Sequence, residues 1–146
     1  MRQIADIIEG KTLFFVGPTE SVRGVARKMA EKNIGAIAVL EEGTLVGLFS
    51  ERDLMKRVVA ENVDPDKAKV ADVMTRELAV ASPQETIPDC VQRMHSLGCR
   101  HLPVVDRGKL VGMISLRDLL EVDSETSKQK ANFLTELVTY SPDYES

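Results

Sequence analysis

Two short runs carry the residue types that could do chemistry: Ser50-Glu51-Arg52-Asp53 and Ser115-Leu116-Arg117-Asp118. Each closes an apolar stretch that contains a glycine, Gly47 or Gly112. A serine followed three residues later by a carboxylate, where an apolar run ends, marks a helix start. The Ser hydroxyl accepts from the N3 amide and the Asp carboxylate accepts from the N-cap amide. That cap is the structural reading of both pairs. The same geometry permits a second one. A carboxylate favoured in its ionised form by the helix dipole can accept hydrogen bonds from both hydroxyls of a ribose, and the serine hydroxyl with nearby N–H groups suits ribose or phosphate oxygens. On the residues alone both readings stay open. Arg52 and Arg117 divide in the same way, between pairing with nearby acids on a helix surface and facing a phosphate.

Other chemistries find weaker support. Cys90, His95, Cys99 and His101 fall within twelve residues, but the spacing C-x4-H-x3-C-x-H matches no common zinc site. Either thiol as a nucleophile lacks a sequence-evident Asn or Asp partner. Glu41 and Glu42 read as a solvated turn, and Met29 and Met94 as core residues of helix faces.

The elements that must position the two pairs follow from an internal repeat. Residues 18–55 align on 83–120 at a constant offset of 65 without a gap, and twelve of the 38 positions are identical. Among the identities are Gly47/Gly112, Ser50/Ser115, Arg52/Arg117 and Asp53/Asp118. Such self-similarity means two copies of one supersecondary unit. In each copy a helix is predicted first, with Val22, Val25, Ala26 and Met29 or Ile87, Cys90, Val91 and Met94 on its apolar stripe. Thr86 with Asp89 caps the second of these helices, and Ser21 offers a weaker cap to the first. Two apolar runs then flank a Gly-containing turn, 37–40 and 45–49 or 102–105 and 110–114, which predicts a β-hairpin. Ser50 and Ser115 open a further helix. With leading strands at 13–16 and 78–81 the unit is β-α-β-β-α. The fold class is therefore α+β, two pseudo-symmetric motifs packed sheet to sheet with flanking helices. We divide the chain at 1–62 (first motif with an N-terminal helix), 63–123 (linker and second motif) and 124–146 (a helical tail).

The 146 residues are 43% hydrophobic and 29% charged, ordinary globular composition with enough chain to bury a core. No apolar run is long enough for a membrane span, and Asp6 interrupts the N-terminus where a signal peptide would be apolar. A cytoplasmic protein with reduced thiols is the expectation. The net charge of −4, the absence of Trp and the scarcity of other aromatics argue against nucleic acid as a partner.

The duplicated unit, with Gly-x-x-Ser-x-x-Asp closing each hairpin at 47–53 and 112–118, resembles a pair of cystathionine β-synthase (CBS) domains, a Bateman module. Val73-Met74-Thr75 and the run Arg100-His101-Leu102-Pro103-Val104-Val105-Asp106 add to the likeness. The resemblance covers about residues 8–122 and is to stand-alone CBS-pair proteins without a catalytic domain. It implies a non-enzymatic regulatory module binding an adenosine-containing ligand. AMP, ADP or ATP come first, then NAD(H) or S-adenosylmethionine, as effector rather than obligatory cofactor. It further implies a homodimer, and clefts that take parts from both repeats. Carried over by position, Ser50, Arg52 and Asp53 would work with Thr75, Ala79, Cys99, Arg100 and His101. Ala79 and the Cys99 backbone would frame adenine, while Arg100 and His101 would face phosphate. Ser115 and Asp118 would serve the second cleft with Phe14, Ile34, Gly35 and Ala36, which lacks the basic pair, so Asp53 is expected to anchor the main site. A ligand-free interaction scaffold is the rival reading, and a thiol-based sensor or enzyme using Cys99 ranks last.

Overall fold

The computed structural model describes residues 2–122, so the expected tail over 124–146 lies outside the described residues. The chain forms two compact units. One comprises Thr12–Ala79 with Arg107–Leu110, and the other, among the described residues, the stretches 2–11, Val80–Asp106 and 111–122. The segment leading into the second repeat thus belongs to the unit of the first, and the N-terminal segment belongs to the unit of the second.

In the first-repeat unit, β1 (Phe15–Val16) runs parallel to β2 (Ala36–Glu41), which pairs antiparallel with β3 (Thr44–Ser50). The hairpin turns through Glu42 and Gly43, both at positive φ, the conformation a two-residue turn needs to match the twist of its strands. Helix α2 (Val22–Lys32) buries Val22, Val25 and Met29, three of the four positions on its predicted stripe, while Ala26 is half-buried. Its cap is Ser21, whose hydroxyl accepts from the Gly24 amide at 3.1 Å. Phe49, Ile37 and Val39 fill the interior with Val58 and Val70, all almost wholly buried.

The linker is knitted into this unit. The amides of Val22 and Arg23 donate to the carbonyls of Ala68 and Pro65, and the amide of Val70 donates to Glu20. Arg23 also pairs with Asp66. The short helix α4 (Val70–Val73) follows and lies against β3.

After Ser50 comes a single α turn, α3 (Glu51–Asp53), and then the winding widens to a π-helix over Leu54–Val59. The Ala60 amide reaches back five residues to the Met55 carbonyl, at 2.9 Å. Sequence periodicity carries no signal for this change of winding.

The second-repeat unit holds α1 (Ile4–Ile8), α5 (Ile87–Leu97), α6 (Leu116–Val122) and, apart from Lys109 and Leu110, the strands of the hairpin β4–β5 (His101–Asp106 and Lys109–Ser115). Helix α5 starts as the sequence predicts, with Thr86 at the N-cap, Asp89 at N3 and Pro88 in the first turn. The leading strand expected at 78–81 is reduced to one parallel bridge between Ala81 and Val104. The chain passes from one unit to the other between Ala79 and Val80, within this stretch. In β1 likewise only Phe15 and Val16 of the predicted four residues pair.

Glu85 braces this unit. Its carboxylate accepts from the Ser82 amide at 2.8 Å and from Arg93, whose guanidinium also donates to the Val80 carbonyl at 2.8 Å. The first repeat has a simpler version. There the Lys28 ammonium donates to the Phe15 carbonyl at 2.9 Å and Glu20 accepts from the Gly17 amide at 2.6 Å.

Candidate functional site

Both Ser-x-x-Asp pairs are helix caps. In the first-repeat unit the Asp53 Oδ2 accepts from the Ser50 amide at 2.9 Å and the Ser50 hydroxyl at 3.1 Å. The Asp53 amide in turn donates to Ser50 Oγ at 3.2 Å. In the second-repeat unit the Ser115 amide donates to Asp118 Oδ2 at 2.9 Å, and the Asp118 amide to Ser115 Oγ at 3.0 Å. Each pair stands at the end of its hairpin because the β3 and β5 strands stop where the serine turns the chain into a helix.

The glycines of the motif are explained by close approach. Met74 lies directly over Gly47, and a Cβ there would meet Met74 Sδ and Cγ. Ile8 covers Gly112 in the same way, with its Cγ2 2.8 Å from where a Cβ would stand. Each repeat thus receives the other repeat's leading segment over a bare stretch of backbone.

Beyond the caps the two aspartates differ. Asp53 Oδ1 accepts from the Thr75 hydroxyl at 3.0 Å and lies 3.7 Å from Arg57 Nε. Its side chain is only 10% exposed. Asp118 Oδ1 faces the Lys11 ammonium at 3.5 Å, and its side chain is 30% exposed. An ionised carboxylate offers about four acceptor directions. Asp53 therefore has both directions of Oδ2 occupied by the cap and one direction of Oδ1 occupied by Thr75.

Of the residues singled out in the sequence, the structure brings Ser50, Asp53 and Thr75 into direct contact. Arg52 is exposed one residue before Asp53, and Ala79 is the half-buried last residue of the same segment. Cys99, Arg100, His101, Ser115 and Asp118 all belong to the second-repeat unit. There the carbonyl of Arg100 accepts from the Leu116 amide at 2.8 Å, at the start of the helix that Ser115 caps. Arg117 pairs with Glu121 along its own exposed helix surface.

Two residues at these sites escaped the sequence reading. Arg57 was within reach of it, because an acid and an arginine four apart on a helix commonly pair. Lys11 was not, since only tertiary packing carries it to Asp118.

The cysteines have different surroundings from those a reactive thiol needs. Cys90 is buried, and burial pushes its thiol up to about 11, with Glu85 nearby acting in the same direction. Burial also raises Cys99. Among the described residues no group of three His, Cys, Asp or Glu side chains is placed to hold a metal ion. Among the same residues no helix is long and apolar enough to cross a membrane.

Two β-α-β-β-α copies, each ending in a Ser-x-x-Asp cap set over a glycine-bared strand, define a tandem-repeat α+β module. The chain belongs to the CBS-domain family, whose profile matches residues 4–60 and 70–125. It is 34% identical over 122 residues to the CBS domain-containing protein YhcV of Bacillus subtilis, covering 84% of this chain and 86% of that one. A solved CBS-domain protein from Burkholderia ambifaria superposes with a TM-score of 0.80 at 31% identity, over 86% of this chain and 96% of the other. The CBS domain pair of MJ0100, solved in complex with 5′-methylthioadenosine and S-adenosyl-L-methionine, has the same fold, with a TM-score of 0.76. That likeness is at 24% identity, over 85% of this chain and 97% of the other.

Proposed function

We propose that this chain is a non-enzymatic regulatory module that binds an adenosine-containing ligand, an adenine nucleotide foremost, and passes its occupancy on as a conformational change. The observation that carries this reading is the Asp53 carboxylate. It is nearly buried and fixed at one oxygen by the cap, while the other oxygen receives a hydroxyl group, that of Thr75. A carboxylate so held is already organised to accept a hydroxyl, and a ribose presents two. MJ0100 shares the fold and holds adenosine compounds; its likeness supports the fold, and the ligand class rests here on Asp53. Binding would act by shifting a population, favouring whichever arrangement of the chain the ligand contacts better. A homodimer is the assembly in which we place this activity.

A scaffold reading has one observation in its favour. Among the described residues no buried side-chain nitrogen or oxygen lacks a hydrogen-bond partner, so the caps are complete as they stand.

Isothermal titration of the nucleotide-stripped protein with AMP, ADP, ATP, NADH and S-adenosylmethionine separates the two readings. Micromolar binding of one of them, weakened tenfold or more by Asp53→Asn, is the expected result. No binding of any compound would leave the scaffold reading.

A further inference from the structure

The segment Met74-Thr75 is fastened to the first-repeat unit at several points. Thr75 and Leu48 exchange backbone hydrogen bonds, the Leu48 amide donating at 2.9 Å and the Thr75 amide at 2.8 Å. The Thr75 hydroxyl reaches Asp53 Oδ1 at 3.0 Å. One residue earlier, the Met74 carbonyl accepts from Arg57 Nη1 at 2.9 Å, while the same guanidinium has its Nε 3.7 Å from Asp53 Oδ1. Arg57 and Thr75 thus meet on one carboxylate oxygen, and Arg57 also holds the residue before Thr75. Four residues after Thr75 the chain leaves this unit.

The second repeat serves as an internal control. There the segment that carries Ile8 brings Lys11 to Asp118 Oδ1, in place of a threonine hydroxyl and an arginine. Yet the second copy builds the same hairpin and the same Ser-Asp cap. The fold therefore does not require this pair of contacts. The helix differs as well. Over Leu54–Val59, the stretch that carries Arg57, it winds as a π-helix, whereas α6 is α-helical over Leu116–Val122. π-Helical turns are rare and occur frequently at functional sites.

We propose that Arg57 is a positioning residue that locks the Asp53 carboxylate and the Met74–Thr75 segment together, so that a ligand taking Asp53 Oδ1 is felt by the chain at Thr75. The ligand part of this inference rests on the adenosine reading; the lock itself rests on the geometry. A ribose that uses both of its hydroxyls on Asp53 needs the acceptor direction Thr75 occupies, and Thr75 gives way to it. Arg57 keeps the carboxylate in place by its charge while this exchange occurs, because its hydrogen bond to Met74 pins the guanidinium beside Asp53.

The test uses the full chain with Arg57→Met and Arg57→Lys, read by amide hydrogen exchange and by titration with AMP and with uncharged adenosine. In Arg57→Met the Thr75 amide, and with it the Leu48 amide that donates to Thr75, exchange about tenfold faster, while the other amides of the β2–β3 hairpin keep their wild-type rates. AMP and adenosine weaken by the same factor, about three- to tenfold, since the loss acts through Asp53. Arg57→Lys falls between, a point charge being unable to serve Asp53 and Met74 at once. Unchanged exchange at Thr75, or exchange that rises equally throughout the hairpin, overturns the lock. A loss confined to AMP overturns the positioning role, because it would mean direct contact with the phosphate. If the wild type binds neither compound the adenosine reading fails, and the exchange rates still decide the lock.

Discussion

The Thr75 hydroxyl donates to Asp53 Oδ1 at 3.0 Å, joining two residues 22 apart in the chain. Thr75 comes from the segment that leads into the second repeat, Asp53 from the helix that ends the first. Removing the hydroxyl while keeping the shape isolates this bond. Thr75→Val is expected to lower stability by about 1 kcal/mol, the net worth of one such hydrogen bond, with Asp53 left one partner short. Urea unfolding followed by circular dichroism reads the shift.

Asp53 and Asp118 occupy equivalent positions in the repeat but not equivalent surroundings. Asp53→Ala strips the cap and also strands Thr75 and Arg57, at a cost of about 2–3 kcal/mol. Asp118→Ala loses a cap and a half-exposed ion pair with Lys11, at about 1 kcal/mol. Equal midpoint shifts in denaturant for the two variants would refute the difference in coupling.

The two motif glycines make a paired comparison of packing. Gly112→Ala drives a Cβ against the β-branched Ile8, whose Cβ and Cγ2 have little room to turn away. A loss of about 1–3 kcal/mol is expected. Gly47→Ala meets the thioether end of Met74, which is unbranched and can re-rotamer, so it should cost less. Thermal melts of the two variants give the order directly.

Acid should weaken the second-repeat unit through Glu85. The hydrogen bond from Arg93 holds the Glu85 carboxyl below its ordinary value of 4.5, and Thr86 does the same for Asp89. A carboxyl depressed in the folded state contributes stability above its unfolded value and loses it as pH falls through the folded one. Stability is therefore flat near neutrality and declines from about pH 4.5 downwards. Arg93→Gln should remove about 1 kcal/mol at pH 7 and flatten part of that decline. Denaturant midpoints at pH 7 and pH 3.5 for the two proteins test both statements.

Thiol chemistry gives a check on the sensor reading. With Cys90 pushed up to about 11, its thiolate fraction at pH 8 is on the order of one in a thousand. Cys90 in the native protein should react with a thiol-specific reagent far more slowly than free cysteine, and both cysteines should react promptly once the chain is unfolded. Rapid native labelling of Cys90 would contradict the burial described here.

The amino-acid sequence by itself determined the repeat, the order of elements in each copy and both helix caps. These are short-range matters. A stripe at helical spacing, a two-residue turn with glycine, and a serine three residues before an aspartate act through neighbours within a few positions, and the offset of 65 doubles every such signal. The tertiary structure alone decided the rest. Exchange of the leading segments puts Met74 over Gly47 and Ile8 over Gly112, because bare glycine backbone admits a packed side chain that no local pattern specifies. It also brings Lys11 to Asp118, two residues whose attraction depends on where the fold places their charges. The π winding over Leu54–Val59, against α winding over Leu116–Val122, is likewise absent from any sequence signal. Identical motifs consequently end in unlike sites, since a carboxylate's chemistry is fixed by the hydroxyl or cation that the rest of the chain delivers to it.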